Sequence, residues 1–77
     1  MGGDGIGVDS FEKQMADGTE VTEAECLRLV TELEPTANGM TIETKAANGN
    51  TGICYAEFNM TGRHPNPRWN SCYIERQ

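Results

Sequence analysis

The clearest pattern of apolar and polar positions predicts one helix over Glu23–Glu34. Four apolar residues recur there at intervals of three and four, which places them on one stripe of a helix: Cys26, Leu29, Val30 and Leu33. Thr22 and Glu25 have the spacing of a capping box at the helix N-terminus, and Pro35 ends the helix. Because Cys26 lies on the apolar stripe, we expect it to face whatever the helix packs against.

Three later segments alternate apolar and polar residues as half-buried strands do: Met40–Thr44, Ile53–Phe58 and Trp69–Glu75. The second segment places Cys54, Ala56 and Phe58 on one face and Ile53, Tyr55 and Glu57 on the other. The Asn-Gly-Asn sequence at residues 48–50 is typical of a hairpin-like turn between the first two strands. One helix against an antiparallel sheet predicts an α+β domain.

Residues 1–21 form a glycine-rich, acidic segment ahead of the module that we predict over residues 22–77. Four of the first seven residues are glycine, and such a segment is flexible unless contacts hold it. Its apolar residues Ile6, Val8 and Phe11 suggest a short edge strand, which would tie the N-terminus to a sheet.

Length and charge limit the classes of function. A chain of 77 residues makes one small domain, which buries only about 60% of the surface that its unfolded form exposes. So small a core needs a disulfide, a metal or a partner. The net charge of −6 argues against a nucleic-acid-binding protein, which needs a basic face. Residues 1–34 carry nine acidic and two basic side chains, which indicates either orientation on a partner or a solvated acidic face.

The three cysteines allow one disulfide with a spare thiol, or a bond to another chain. A disulfide predicts an oxidising compartment, extracellular or in an organelle lumen, whereas the alternative is three reduced cysteines in a cytosolic protein. No apolar run approaches the length of a membrane span, and no signal-peptide pattern begins at Met1. If the protein is exported, we expect its targeting segment to be absent from this chain.

Four sequence blocks carry a family pattern, in chain order ECLRLV, ANGMT, CYAEFNMTG and Trp-x-x-Cys. Together they resemble the PAN/Apple superfamily, and more closely the short secreted Apple-like modules of algae and protists. The resemblance covers about Thr22–Ile74. It implies a helix cradled by a curved antiparallel sheet, with a disulfide from Cys26 in the helix to Cys54 in a central strand. A Cys54–Cys72 bond is the main alternative, because those two strands can also be neighbours.

Cys72 matches the last-strand cysteine of the family, whose usual partner lies near the N-terminus. Residues 1–25 contain no cysteine, so the resemblance leaves Cys72 unpaired. The alternation of the last strand places Cys72 and Ile74 on the inward face and Tyr73 on the other. We therefore expect a buried, unmodified thiol packed against Phe11 or Val8, with an intermolecular bond as the alternative.

The resemblance implies a non-catalytic module that binds a protein or carbohydrate partner and needs no cofactor. The alternative is a small accessory subunit of a larger lumenal or extracellular assembly, since one isolated module gives no avidity. A photosynthetic complex of an alga is one candidate assembly. An enzyme is disfavoured because no acid–base pair or nucleophile constellation is visible around the single histidine, His64. The cysteines also lack the Cys-x-x-Cys spacing that would indicate a metal site.

Two further features concern the surface. Four residues could form a partner-binding patch, since Trp and Arg are enriched at interface hot spots: Arg63, His64, Arg68 and Trp69. The size of Trp69 in so small a domain favours instead a place in the core, with the arginines merely exposed. Asn59 begins an Asn-Met-Thr sequon, which predicts N-glycosylation if the protein is exported.

Overall fold

The computed structural model describes residues 3–75, and these residues form an α+β domain with one α-helix and antiparallel sheets. The elements in chain order are β1 (Asp4–Ile6), β2 (Phe11–Gln14), α1 (Glu23–Leu33), β3 (Gly39–Glu43), β4 (Cys54–Phe58), β5 (Gly62–His64) and β6 (Trp69–Tyr73). Strands β2, β4, β3 and β6 form one sheet in that order, and β1 pairs with β5 in a two-stranded ribbon. Residues 1, 2, 76 and 77, including Met1, lie outside the described residues.

The helix begins where the capping pattern predicts. The Thr22 hydroxyl accepts a hydrogen bond from the backbone N–H of Glu25 at 3.1 Å. The Glu25 carboxylate binds Arg28 rather than closing the second half of the box. Along the predicted stripe, Cys26 and Val30 are fully buried, but Leu33 is 60% exposed. The predicted apolar stripe is therefore buried only in part, and its exposed member Leu33 is the last residue of the helix.

Alternation along β3 and β4 sends small and aliphatic side chains toward α1. Met40 pairs with Ala56 across the two strands, and Ile42 pairs with Cys54. All four are buried, and α1 packs on this face. The disulfide joins Cys26 to Cys54 with 5.6 Å between the Cα atoms, which confirms the pairing that the resemblance implied.

The alternative Cys54–Cys72 bond is wrong because the two strands are not neighbours. Strand β3 lies between β4 and β6, and Cys72 pairs with Met40 of β3. Cys72 faces the helix side of the sheet, as the alternation predicts, and it is not bonded to another cysteine of the chain.

The predicted full burial of Cys72 was wrong. The thiol is half-buried and borders an apolar groove of about 240 Å³ beside Leu27 of α1, because β6 is an edge strand. Phe11 and Val8, its expected neighbours, are 58% and 86% exposed. Burial raises the pKa of the Cys72 thiol.

The N-terminal segment contributes two strands, not one. A turn separates them, with the backbone N–H of Ser10 bonded to the Gly7 carbonyl and Asp9 at a φ of 60°. Strand β2 pairs with β4 at the edge of the four-stranded sheet, and β1 pairs with β5. The β1–β5 ribbon packs on β3 and β6, so the central strand β3 is buried on both faces. None of the helices within residues 3–75 is long and apolar enough to cross a membrane.

Candidate functional site

A cleft of about 490 Å³ opens beside β1 on the face of the four-stranded sheet that α1 leaves free. That volume falls within the range of small-ligand sites. Its polar groups are the carboxylates of Asp4, Glu12 and Glu57 and the hydroxyls of Ser10, Thr41 and Tyr55, and its aromatic rings are those of Phe11, Tyr55 and Trp69. The cleft is therefore a polar site with aromatic walls.

The two-residue period of β4 brings these groups together. Cys54 and Ala56 point toward the helix, so Tyr55 and Glu57 point into the cleft. The register places Glu57 directly opposite Glu12 of β2, and Tyr55 directly opposite Thr41 of β3. Two carboxylates thus face each other across neighbouring strands, an arrangement that costs stability when both are charged.

Glu57 is the most buried charged group of the cleft, with only 2% of its surface exposed. The Thr41 hydroxyl donates a hydrogen bond to its Oε2 at 2.7 Å. Burial raises the pKa of Glu57 to about 7, and the nearby Glu12 and Asp4 carboxylates act in the same direction, while the Thr41 bond opposes them. Near neutral pH the carboxyl group therefore changes between a proton donor and a charged acceptor.

Trp69 forms one wall of the cleft rather than part of the core. Its ring meets the Tyr55 ring edge-on, with 5.6 Å between centroids and 70° between planes. The side chain is half-buried, which corrects the expectation of a core residue. The register explains the difference, because Trp69 pairs with Glu43 on the face away from α1.

The predicted patch of four residues divides into two parts. The Arg68 guanidinium lies 5.3 Å from the centre of the Trp69 ring, at the first residue of β6. The Arg63 guanidinium lies 5.7 Å from the ring of Tyr73, at the last residue of β6. The two ends lie four steps apart along the strand, which is a distance of roughly 13 Å. His64 is exposed on β5, where it pairs with Asp4, and it does not line the cleft.

Sequence reasoning missed Glu57, Thr41 and Glu12 as site residues. The period of β4 did place Glu57 and Tyr55 on one face, so that part of the signal was present. The missing information was the β1–β5 ribbon, which covers this face and turns it into the wall of a cleft. Within residues 3–75, no group of three or more His, Cys, Asp and Glu side chains is arranged to hold a metal ion.

Asn59, the predicted glycosylation residue, lies in the turn between β4 and β5. Its side chain is exposed, and its backbone has a φ of 57°. The side-chain amide donates one long hydrogen bond, 3.4 Å, to the Asp9 carbonyl. Thr61 of the same sequon is also exposed, so both side chains that define the sequon are accessible.

No protein-family model, no curated protein and no solved structure matches this chain. The functional interpretation therefore depends on the geometry and chemistry of the cleft.

Proposed function

We propose that the protein is a non-catalytic, Apple/PAN-like interaction module that binds a protein or carbohydrate partner through the cleft beside β1. The single observation that carries this proposal is the buried Glu57 carboxyl group, which borders the cleft together with the rings of Tyr55 and Trp69. The α+β arrangement and the Cys26–Cys54 bond support the Apple/PAN part of the proposal. We also propose that the sheet is curved and that the chain belongs to that superfamily.

The charge of the cleft favours a basic side chain of a protein partner over a neutral sugar. Among the described residues that line it, three are carboxylates and none is Lys, Arg or His. A buried carboxylate without a cation is costly, and an incoming ammonium or guanidinium group would offset that cost. The Tyr55 ring adds a surface that attracts cations, and the Arg68 guanidinium beside the Trp69 ring shows the same attraction within the chain. The acidic surplus of the chain would also speed the approach of a basic partner.

Arrays of short peptides and of oligosaccharides test this proposal. We expect binding to peptides that contain Lys or Arg, and a loss of roughly thirtyfold in Trp69→Ala, as for other interface hot spots. Glu57→Gln should also weaken binding at alkaline pH. Leu33→Ala is the matched control, because Leu33 is exposed on α1, on the other face of the sheet.

Three results would decide between the alternatives. Binding of glycans instead of basic peptides, with the same sensitivity to Trp69→Ala, would support a carbohydrate-binding module. Binding that the cleft variants leave intact, or that Leu33→Ala abolishes equally, would contradict the cleft as the site. The absence of binding to either array would contradict the proposed module itself.

The disulfide supports a location outside the cell or in an organelle lumen, since such bonds persist in oxidising compartments. The exposed sequon at Asn59 would be glycosylated in such a compartment. Intact-mass measurement of the protein from its source, before and after enzymatic removal of N-glycans, tests both statements. An unmodified Asn59 with all three thiols reduced would contradict this location.

A second candidate function is an accessory subunit of a larger lumenal or extracellular assembly, such as a photosynthetic complex of an alga. Three apolar residues near the β1–β2 turn favour it because they are exposed in the single chain: Ile6, Val8 and Phe11. A permanent neighbour would cover such residues. Gel filtration of a native extract separates the two functions: a free monomer favours the binding module, and elution with a large complex favours the subunit.

A further inference from the structure

The chain contains two Asn-Gly sequences, at Asn38 and at Asn48, and the two asparagines have different surroundings in the structure. In an Asn-Gly sequence, the backbone nitrogen of glycine can attack the side-chain amide of asparagine. From the contrast between the two sites we propose that Asn48 is a site of spontaneous modification, where the folded protein converts asparagine to aspartate and isoaspartate, while Asn38 is protected.

The chemistry uses only the chain and water. The Gly49 nitrogen attacks Cγ of Asn48, so a new N–Cγ bond forms and the Cγ–Nδ2 bond breaks. Ammonia leaves with the proton that the Gly49 nitrogen gives up, and a cyclic imide remains. Water then opens the imide at either carbonyl. One opening yields aspartate, and the other yields isoaspartate, in which the main chain runs through the former side chain.

The surroundings of Asn48 permit this reaction. Asn48 and Gly49 are both exposed in the 3₁₀ turn Thr44–Gly49, with φ values of 57° and 83°. The Asn48 side chain makes no hydrogen bond to any residue within 3–75. No atom outside the turn lies within 4 Å of the position where a side chain on Gly49 would begin. The exposure of Asn48 and the open space beside Gly49 therefore leave both residues free to rotate toward the geometry in which the Gly49 nitrogen meets Cγ.

Both polar atoms of the Asn38 side-chain amide form hydrogen bonds. Its Nδ2 donates a hydrogen bond to the Met60 carbonyl at 2.7 Å, and its Oδ1 accepts one from the Met60 N–H at 2.9 Å. The following residue, Gly39, is buried at the start of β3 and paired with both β4 and β6. Imide formation at Asn38 thus requires local opening that breaks two hydrogen bonds and separates strands.

The product at Asn48 has a predictable location and charge. Asn48 borders a depression that also contains Thr22, Glu23 and Ala24, at the N-terminus of α1. Modification adds one negative charge there, and the net charge of the chain becomes more negative than −6. Because Asn48 and Gly49 are exposed and neither belongs to the core, we expect the modified protein to keep its fold.

Peptide mapping of the native protein after prolonged incubation at mildly alkaline pH tests the proposal. We expect an acidic product that ion-exchange chromatography resolves, with aspartate and isoaspartate found at position 48. Position 38 should react roughly a hundredfold more slowly, since each of its two hydrogen bonds is worth about a factor of ten in the opening equilibrium.

Two controls make the outcome decisive. In the reduced and unfolded chain, both asparagines should react at comparable rates, which shows that the fold and not the sequence protects Asn38. Asn48→Gln should remove the acidic product from the native sample. Equal rates at the two positions in the native protein, or an Asn48 that reacts only after unfolding, would overturn the proposal.

Discussion

The buried carboxyl group of Glu57 makes stability depend on pH in an unusual direction. In the folded state burial raises its pKa from the ordinary 4.5 to about 7, so the folded protein keeps this proton to a higher pH than the unfolded chain does. Between those two values the folded state binds more protons, and stability falls as the pH rises. The shift corresponds to at most roughly 3.5 kcal/mol, at about 1.4 kcal/mol per pKa unit. Relaxation around Glu57 would make the measured loss smaller, about 1–3 kcal/mol.

Glu57→Gln isolates this effect because glutamine has nearly the same shape and no charge. Its side-chain carbonyl can still accept the hydrogen bond from Thr41. We expect the variant to be more stable than the wild type above pH 7, by about 1–3 kcal/mol, and to lose most of the dependence on pH below it. Other groups with shifted pKa values affect stability outside the range between pH 4.5 and 7. The hydrogen bond from Lys45 lowers the pKa of Glu20, and the one from Arg28 lowers that of Glu25, so their contributions disappear only at more acidic pH.

Urea denaturation followed by tryptophan fluorescence at a series of pH values measures the effect. Trp69 is the single tryptophan and lies in the cleft wall, so its emission reports the same region. Glu32→Gln is the matched control, because Glu32 is exposed on α1 and should leave the dependence on pH unchanged. A wild-type protein that becomes more stable between pH 4.5 and 7, or a Glu57→Gln variant with an unaltered slope, would refute the reasoning.

Four further predictions concern the framework. Thr22→Ala should cost about 1 kcal/mol in urea denaturation through loss of the helix N-cap bond, and an unchanged midpoint would contradict that role. Val30→Ala should cost about 2 kcal/mol, whereas Leu33→Ala should cost less than about 0.5 kcal/mol, because only Val30 is buried; the reverse order in the same melts would mean that α1 presents another face. Replacing both disulfide cysteines by alanine should cost about 3–4 kcal/mol for a sequence separation of 28 residues, and a variant as stable as the wild type would contradict this estimate. Cys72 should react slowly with a thiol reagent in the native protein and faster after unfolding; equal rates would show a fully accessible thiol.

The parts of the fold that the sequence predicts are those that depend on local patterns. The capping pair at Thr22 and the spacing of Cys26 and Val30 locate the helix and its buried face, because helix formation involves residues three and four apart. The period of two along residues 54–58 likewise assigns each side chain of β4 to a face. The disulfide follows from the family resemblance and agrees with these faces.

The parts that could not be predicted depend on contacts between distant residues. Strands β1 and β5 have three residues each, which is too short for a periodic signal, and the pairing joins Asp4 to His64. Without that ribbon, the alternation of β3 and β4 places Thr41 and Glu57 on a face of the sheet that would be open to solvent. Trp69 was expected in the core on account of its size, but the register of β6 against β3 decides its face. The cleft could be recognised only once the two sheets were placed together.

The most direct test of the cleft as a binding site is a nuclear magnetic resonance titration of the ¹⁵N-labelled protein with Nα-acetyl-lysine amide. The uncharged Nα-acetyl-norleucine amide, which has a similar shape, is the matched control. We expect the lysine compound to shift the resonances of the Trp69 indole N–H and of the Tyr55 and Glu57 backbone amides, more strongly at pH 8 than at pH 6, and we expect the control to leave them unchanged. Equal shifts with both compounds, shifts confined to α1, or no shift at the highest soluble concentration of the lysine compound would contradict the cleft as the binding site.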